Sequence, residues 1–349
     1  MAKPEIVANH TNVHELATEL AFSEAAFDRA VELADHSPKT TDWLRYFNQF
    51  LMALGTALVV AGVTAFFAWN WAELGHMQKF ALIEFGIAGA AVATWRSGID
   101  SIGGKAGLFV AAFLVGVLFA VYGQVYQIGA DPYGLFLSWA ILILPWAIIG
   151  RQSGLWLLFV ILLNLALIMF WTQVLAPPEG WWQLAQLFGP LVWLGSLVTD
   201  SHLSTAVLLL NVFALLAWEF ASIRGAPWVQ SGWFVRVVAF IALGTVVTPT
   251  LLIVLAGAFG EKLGLTLLSP ILMAVVTAAC LYYYQYRKQD LFVLTCCAFA
   301  VIMVVTSFAI RILLNDFGSM LFLAMLLIGQ VAWAAYWLRN VARRWEEAA

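Results

Sequence analysis

Glu84, Gln124, Gln127 and Asp131 stand out chemically in a chain that is otherwise strongly apolar. Each lies inside or at the end of a long hydrophobic run, where a carboxylate or amide can hold a cation, carry a proton or hydrogen-bond a polar solute. Glu84 sits several residues into such a run, so its carboxyl group has to face protein or water, be paired, or be protonated. Gln124 and Gln127 are three residues apart, and Tyr122 and Tyr126 add rings that carry hydroxyls. Asn70 closes the preceding run at what is read as the same membrane face. Asn70, Glu84, Tyr122, Gln124, Tyr126, Gln127 and Asp131 are therefore expected to form an outer-facing pocket for a small polar solute or ion. Arg311 and Asp316 are expected around it, Arg311 either pairing with Asp316, snorkelling, or supplying a cation for Glu84. The competing reading is mechanical: the glutamines clamp a neighbouring helix and the tyrosines form an interfacial belt.

The elements that must position these residues are membrane spans. The chain of 349 residues is 63% hydrophobic and 11% charged, whereas soluble domains are about one quarter charged. Its 17 Lys and Arg and 20 Asp and Glu cannot cover a soluble surface of that size. The formal net charge of -3 and the lack of a concentrated basic stripe exclude a nucleic-acid partner. The fold class is all-α, a polytopic transmembrane helical bundle with the lipid bilayer as its first partner.

Spans are expected at about 48–70, 78–95, 105–127, 134–149, 155–175, 203–221, 234–257, 265–284, 290–312 and 317–338. A shorter apolar piece at 184–198, flanked by Trp181, Trp182, Gln183 and Gln186, is expected to be re-entrant or interfacial. Charge decides this parity. If 184–198 does not cross, Arg96, Lys105, Arg151, Arg224, Arg236, Arg287, Lys288, Arg339, Arg343 and Arg344 share the cytoplasmic side, as the positive-inside bias requires. If it crosses, the last seven of these move outside. Ten crossings with both termini cytoplasmic is the preferred topology, and eleven crossings is the competitor. Residues 1–45 are read as a soluble N-terminal helical segment, with Ser23 capping a helix that carries Phe27, Val31 and Ala34 on one face. Residues 46–338 form the bundle, and 339–349 a short basic, then acidic, cytoplasmic tail. No apolar h-region opens the chain, so the first span is expected to direct insertion.

Small residues at four-residue spacing mark close helix contacts, among them Ala53, Ala57 and Ala61; Gly86 and Ala90; Gly89 and Ala93; and Gly103, Gly107 and Ala111. Thr248 and Pro249 fall within one span and are expected to bend it. Asn164 and Asn211 are expected to join two spans by a mutual hydrogen bond or to line a path. Glu219 and Arg236 are expected to pair across the loop between their helices. A weak hint of duplication relates residues 54–75 to 243–264, both bracketed by Leu-Gly pairs.

Cys280, Cys296 and Cys297 lack a partner set at metal-ligand spacing and read as small buried hydrophobes, so no metal and no cofactor is expected. The chain has no His-Glu-x-x-His, Gly-x-Ser-x-Gly or Walker motif, and none of its five His lies within a span. Gly123, Gln124, Val125, Tyr126 and Gln127, preceded by Trp69, Asn70 and Trp71, resemble the bacterial predicted-membrane-protein family known as domain of unknown function 2157. That resemblance is best over residues 12 to about 175 and implies an inner-membrane helical protein, without an activity or catalytic residue to carry over. The expected function is to bind, sense or transport a small polar solute or ion. A structural or assembly role with a protein partner or self-association is the alternative, and an intramembrane lipid-modifying enzyme is the third reading.

Overall fold

In the computed structural model of the chain, the described residues are 23–34, isolated positions from 43 to 71, 73–126, 131–175, 200–229, 232–256, 268–313 and 317–348. They fall in two units, Met1–Gly75 and His76–Ala349. Within the first unit, α1 spans Glu24–Ala34. Its start follows from Ser23, whose side-chain oxygen accepts from the Ala26 N–H at 3.3 Å, satisfying one of the orphan donors of the first turn. Helical positions from 43 to 58 expose Trp43, Leu44, Phe47, Phe50, Leu51, Leu54 and Leu58.

The second unit is a run of nine helices among the described residues: α2 His76–Ser97, α3 Ile102–Tyr126, α4 Pro132–Gly150, α5 Ser153–Phe170, α6 Ser201–Ile223, α7 Gly232–Ala256, α8 Leu268–Tyr286, α9 Leu291–Leu313 and α10 Phe317–Ala348. A π-helical turn, Trp171–Leu175, extends α5. Eight helices, α3 to α10, are long and apolar enough to cross a membrane. The helix α2 has 22 residues, about 33 Å at 1.5 Å per residue, but is less apolar than the rest. The expected first span at 48–70, the duplication hint and the piece at 184–198 fall largely or wholly outside the described residues.

Four helical hairpins, α2–α3, α4–α5, α6–α7 and α8–α9, build most of the unit, and all four turn at the same end. Each turn contains a left-handed residue: Gly98 at φ 80°, Arg151 at 44°, Gly225 at 78° and Gln289 at 54°. A left-handed residue just past a helix end lets the chain reverse while the last carbonyls stay bonded. Cross-links confirm the shared end: Gln152 Nε2 donates to Lys105 O at 3.1 Å, Trp156 stacks on Trp228, and Trp345 Nε1 donates to Gln285 O at 3.1 Å. Arg96, Lys105, Arg151, Arg224, Arg236, Arg287, Lys288, Arg339, Arg343 and Arg344 thus lie at one face. Trp171 Nε1 donates to Asp200 Oδ2 at 2.7 Å at the opposite face, so α5 and α6 run antiparallel, as the ten-crossing count requires.

Close approach between helices depends on small residues, as expected at Gly86, Ala90, Gly107 and Ala111, with Gly104 in place of Gly103. The α2–α3 seam uses Ile83, Gly86, Ala90 and Thr94 against Gly104, Gly107 and Ala111; Gly103, Gly89 and Ala93 are exposed. A Cβ at Gly107 would lie 2.5 Å from Thr94 Oγ1, and that hydroxyl is itself shared between Ala90 O at 2.9 Å and Gly104 O at 3.2 Å. On the other side of α3, Trp139 of α4 lies over Gly116, where a Cβ would meet the ring at 2.3 Å, and its Nε1 donates to Ala112 O at 2.8 Å. The helix α7 is the most enclosed span, contacting α5, α6, α8 and α9. Pro249 lies within α7, which runs unbroken past it; Thr248 and Thr250 hydroxyls bond carbonyls four residues back, at 2.9 and 2.6 Å. In contrast, α10 buries little, and its 32 residues reach about 48 Å. The basic and acidic residues after Leu338 therefore continue that helix beyond the hydrocarbon.

A membrane-impermeant maleimide tests this arrangement. Single cysteines replacing Gly225 and Glu346 should label from one side and a cysteine replacing Ser201 from the other; labelling of all three from one side would contradict the antiparallel α5–α6 pair.

Candidate functional site

Two polar regions lie at opposite ends of the second unit. At the end where α2 begins and α3 finishes, Phe80 stacks on Tyr126 with ring centroids 6.1 Å apart, and Tyr122 lies 6.4 Å from Phe80 and 4.7 Å from Tyr126. Both tyrosines remain exposed, so the contact is an aromatic cluster at the membrane edge. Glu84 follows Phe80 by one helical turn along the same ridge of α2. It is exposed and lies beside the buried seam rather than in it. The close approach of α3 is supplied by Gly86, Ala90 and Thr94, whereas Ala88 and Ala91 are exposed.

Gln124 belongs to a different side of α3. At about 100° per residue it lies about 200° around the helix from Tyr122 and from Tyr126, and it too is exposed. Asp131 occupies the N-cap position of α4 without a side-chain capping bond and is exposed. The structure therefore brings Phe80, Tyr122 and Tyr126 together, with Glu84 a turn below, and leaves Gln124 off that cluster. Asn70, Gln127 and Asp316 lie outside the described residues. Arg311 Nη1 donates to Val254 O at 2.9 Å and Leu255 O at 3.3 Å. These are terminal carbonyls of α7, where a cation also complements the negative end of the helix dipole.

At the basic face, the polar chemistry is buried. Glu219, in the last turns of α6, is 7% exposed and accepts from Lys288 Nζ at 2.6 Å, Tyr284 Oη at 3.2 Å and Tyr283 Oη at 3.3 Å. Arg236 at the start of α7 pairs with Asp290 at 2.9 Å, and Asp290 Oδ1 also caps α9 through the Phe292 N–H at 3.0 Å. The expected Glu219–Arg236 pair is thus replaced by two pairs, each reaching the α8–α9 turn. The reason is geometric. The α6–α7 connection is not a bare turn but contains the 3-10 turn Pro227–Val229, whose Trp228 and Val229 fill the space beside Trp218. Trp218 Nε1 donates to Val229 O at 3.1 Å.

Tyr283, Tyr284 and Lys288 were not singled out by the sequence. Their signal is the run of tyrosines at 282–284 followed by Arg287 and Lys288, which reads as an ordinary interfacial girdle until α6 places Glu219 beside it. Between the two ends, Asn211 Nδ2 donates to Asn164 Oδ1 at 2.7 Å and Asn164 Nδ2 to Asn211 Oδ1 at 3.3 Å. Each Nδ2 also bonds its own i-4 carbonyl at 2.8 Å, Val160 O and Val207 O. The mutual bond expected from the sequence is present, and it joins α5 to α6. Among the described residues no group of three or more His, Cys, Asp or Glu comes together as a metal site.

The two clusters give distinct stability forecasts. Asn164→Leu should cost about 1 kcal/mol by stranding the Asn211 amide, with part of the loss recovered in Asn164→Leu/Asn211→Leu; a double variant as unstable as the sum of the singles would deny the pairing. Glu219→Leu should lower the melting temperature in detergent more than Glu219→Gln does, because the Gln form still accepts from Lys288 and the tyrosines.

Comparison with known proteins agrees with the architecture. Residues 15–156 match the family described as predicted membrane protein (DUF2157). No curated protein and no solved structure matches the chain.

Proposed function

We propose that this multi-pass membrane protein binds a small polar solute or ion, a cation suiting it best, where α2 begins and α3 ends, and that binding serves sensing or transport. One observation carries the reading: the exposed rings of Tyr122 and Tyr126 meet the half-buried ring of Phe80, one helical turn along α2 from Glu84. Ring faces attract cations, and a nearby carboxylate adds charge and direction. Asp131 lies at that end as well, together with Lys79 and Arg311, while most of the basic residues gather at the other. By the positive-inside bias the basic face is cytoplasmic, which puts both the aromatic cluster and Glu84 on the outer side of a bacterial inner membrane. Gln124, on the other side of α3, stays outside this cluster, and the end of α10 lies on the cytoplasmic side in this reading.

A second reading, a structural or assembly role, draws support from the Asn164–Asn211 and Glu219–Lys288 pairs, which satisfy their polar groups inside the bundle. The two readings separate on Glu84. In thermal-shift titrations with inorganic and small organic cations, the binding reading expects a saturable stabilisation that Glu84→Gln and Tyr126→Ala each weaken about tenfold, a loss of about 1.4 kcal/mol, with little change in folded yield. Stabilisation that is unchanged in both variants, or no saturable response from the parent protein, goes against it. Copurification of a stoichiometric protein partner would then favour assembly.

A further inference from the structure

The helices α6 and α8 meet only sparingly, and between them lies a groove of about 820 Å³ with α7 as its floor. Phe213, Phe220, Val276 and Ala279 line its sides, Ala239 and Ala242 its base. Phe213 and Phe220 are exposed along the wall, so the groove opens sideways toward hydrocarbon. Its polar contribution is concentrated at the basic face, where Glu219, Tyr283 and Tyr284 line it. There the Arg224 guanidinium lies over the Phe220 ring, 4.2 Å from its centroid, and Lys288 sits on Glu219. Arg287 directly precedes Lys288 in the same turn. The mouth thus has Arg224 on Phe220, Arg287 beside Tyr283 and Lys288 on Glu219, whose carboxylate already accepts from Lys288 and two tyrosyl hydroxyls. An apolar shaft of this size running from hydrocarbon to a net basic mouth has the charge and polarity pattern of an amphiphile with an anionic head.

We propose that this groove holds one anionic phospholipid from the leaflet at the basic face, an acyl chain along α7 and the phosphate between Arg224 and Lys288. Glu219 acts as a positioning residue that fixes the Lys288 ammonium toward the mouth. This site is separate from the aromatic cluster near Glu84, at the opposite end of the unit, and stands or falls independently of it. The groove would be blocked by a large side chain at Ala279, an exposed lining position, without any change in charge. The head site would be weakened by loss of Arg224, which is exposed and outside the buried ion pair.

Native mass spectrometry of the full chain, exchanged into micelles carrying either phosphatidylglycerol or phosphatidylcholine, tests both parts. The expected result is one retained phosphatidylglycerol, preferred over phosphatidylcholine. Arg224→Ala should reduce that preference about fivefold, the effect of about one interfacial cation, and Ala279→Phe should abolish retention of either lipid. Inorganic phosphate at millimolar concentration should not displace the lipid, since the chain supplies much of the binding. Equal retention of the two lipids, a preference that survives both variants, or displacement by phosphate with Ala279→Phe binding normally would overturn the proposal. So would a dimer mass without bound lipid, which would assign the groove to a second copy of this chain.

Discussion

A polar group in the hydrocarbon has no water to bond, so a buried one gains most from a partner within the protein, and among the described residues only a few, such as Thr277 Oγ1 and Gln330 Nε2, lack one. That constraint organises the second unit. The Asn164–Asn211 pair shows it most completely: two side-chain amides exchange hydrogen bonds, and each also returns one to its own helix. Because the bonds are reciprocal, α5 and α6 are fixed in rotation as well as in depth. Trp139 solves the same problem with a carbonyl of α3, and its ring then requires Gly116 beneath it. Satisfaction of one polar atom thereby dictates a small residue on the neighbouring helix.

At the membrane edges the solution changes from neutral amides to charges. Arg311 neutralises the end of α7 by bonding its last carbonyls, whereas Lys288 and Asp290 tie the α8–α9 turn to α6 and α7 respectively. These three links surround α7, the span with most of its surface enclosed. The long central helix is consequently held at both ends by ions and along its length by Val, Ala and Leu packing. Little of that applies to α10, whose apolar side chains largely face outward and whose main polar tie is Trp345 to Gln285.

The span pattern was legible in the sequence because hydropathy needs no tertiary information: a run of about twenty apolar residues crosses wherever its neighbours lie. The same holds for the sharing of one face by the basic residues, and for the asparagine pair, since an amide at bilayer depth has few options. What could not be read was which groups meet at the edges. Glu219 and Arg236 are close in the chain and of opposite charge, yet each pairs with the more distant α8–α9 turn, Glu219 with Lys288 and Arg236 with Asp290. The same limit applies at the α2–α3 seam, where Gly103 and Gly104 are adjacent and only the turn at Gly98 decides which one meets α2. Gly104 would place a Cβ 1.9 Å from Gly98 O.

The outer-facing residues illustrate a further limit of linear spacing. Tyr122, Gln124 and Tyr126 alternate along the chain, which in a strand would place them on one face. On a helix the two tyrosines share a ridge, being four apart, while the glutamine between them points nearly the opposite way. Grouping by proximity in sequence therefore merges two sides of α3, and only the Tyr side adjoins Phe80 and the ridge that carries Glu84. Any ligand reached by Glu84 must then be recognised chiefly by aromatic faces and a carboxylate, which favours a cation over a neutral hydrogen-bonding solute. At the other end, basic side chains border an apolar groove, which favours an anionic amphiphile. On the two proposals the ends of the bundle take ligands of opposite charge, a cation beside Phe80, Tyr122, Tyr126 and Glu84 at one and an anionic amphiphile beside Arg224 and Lys288 at the other.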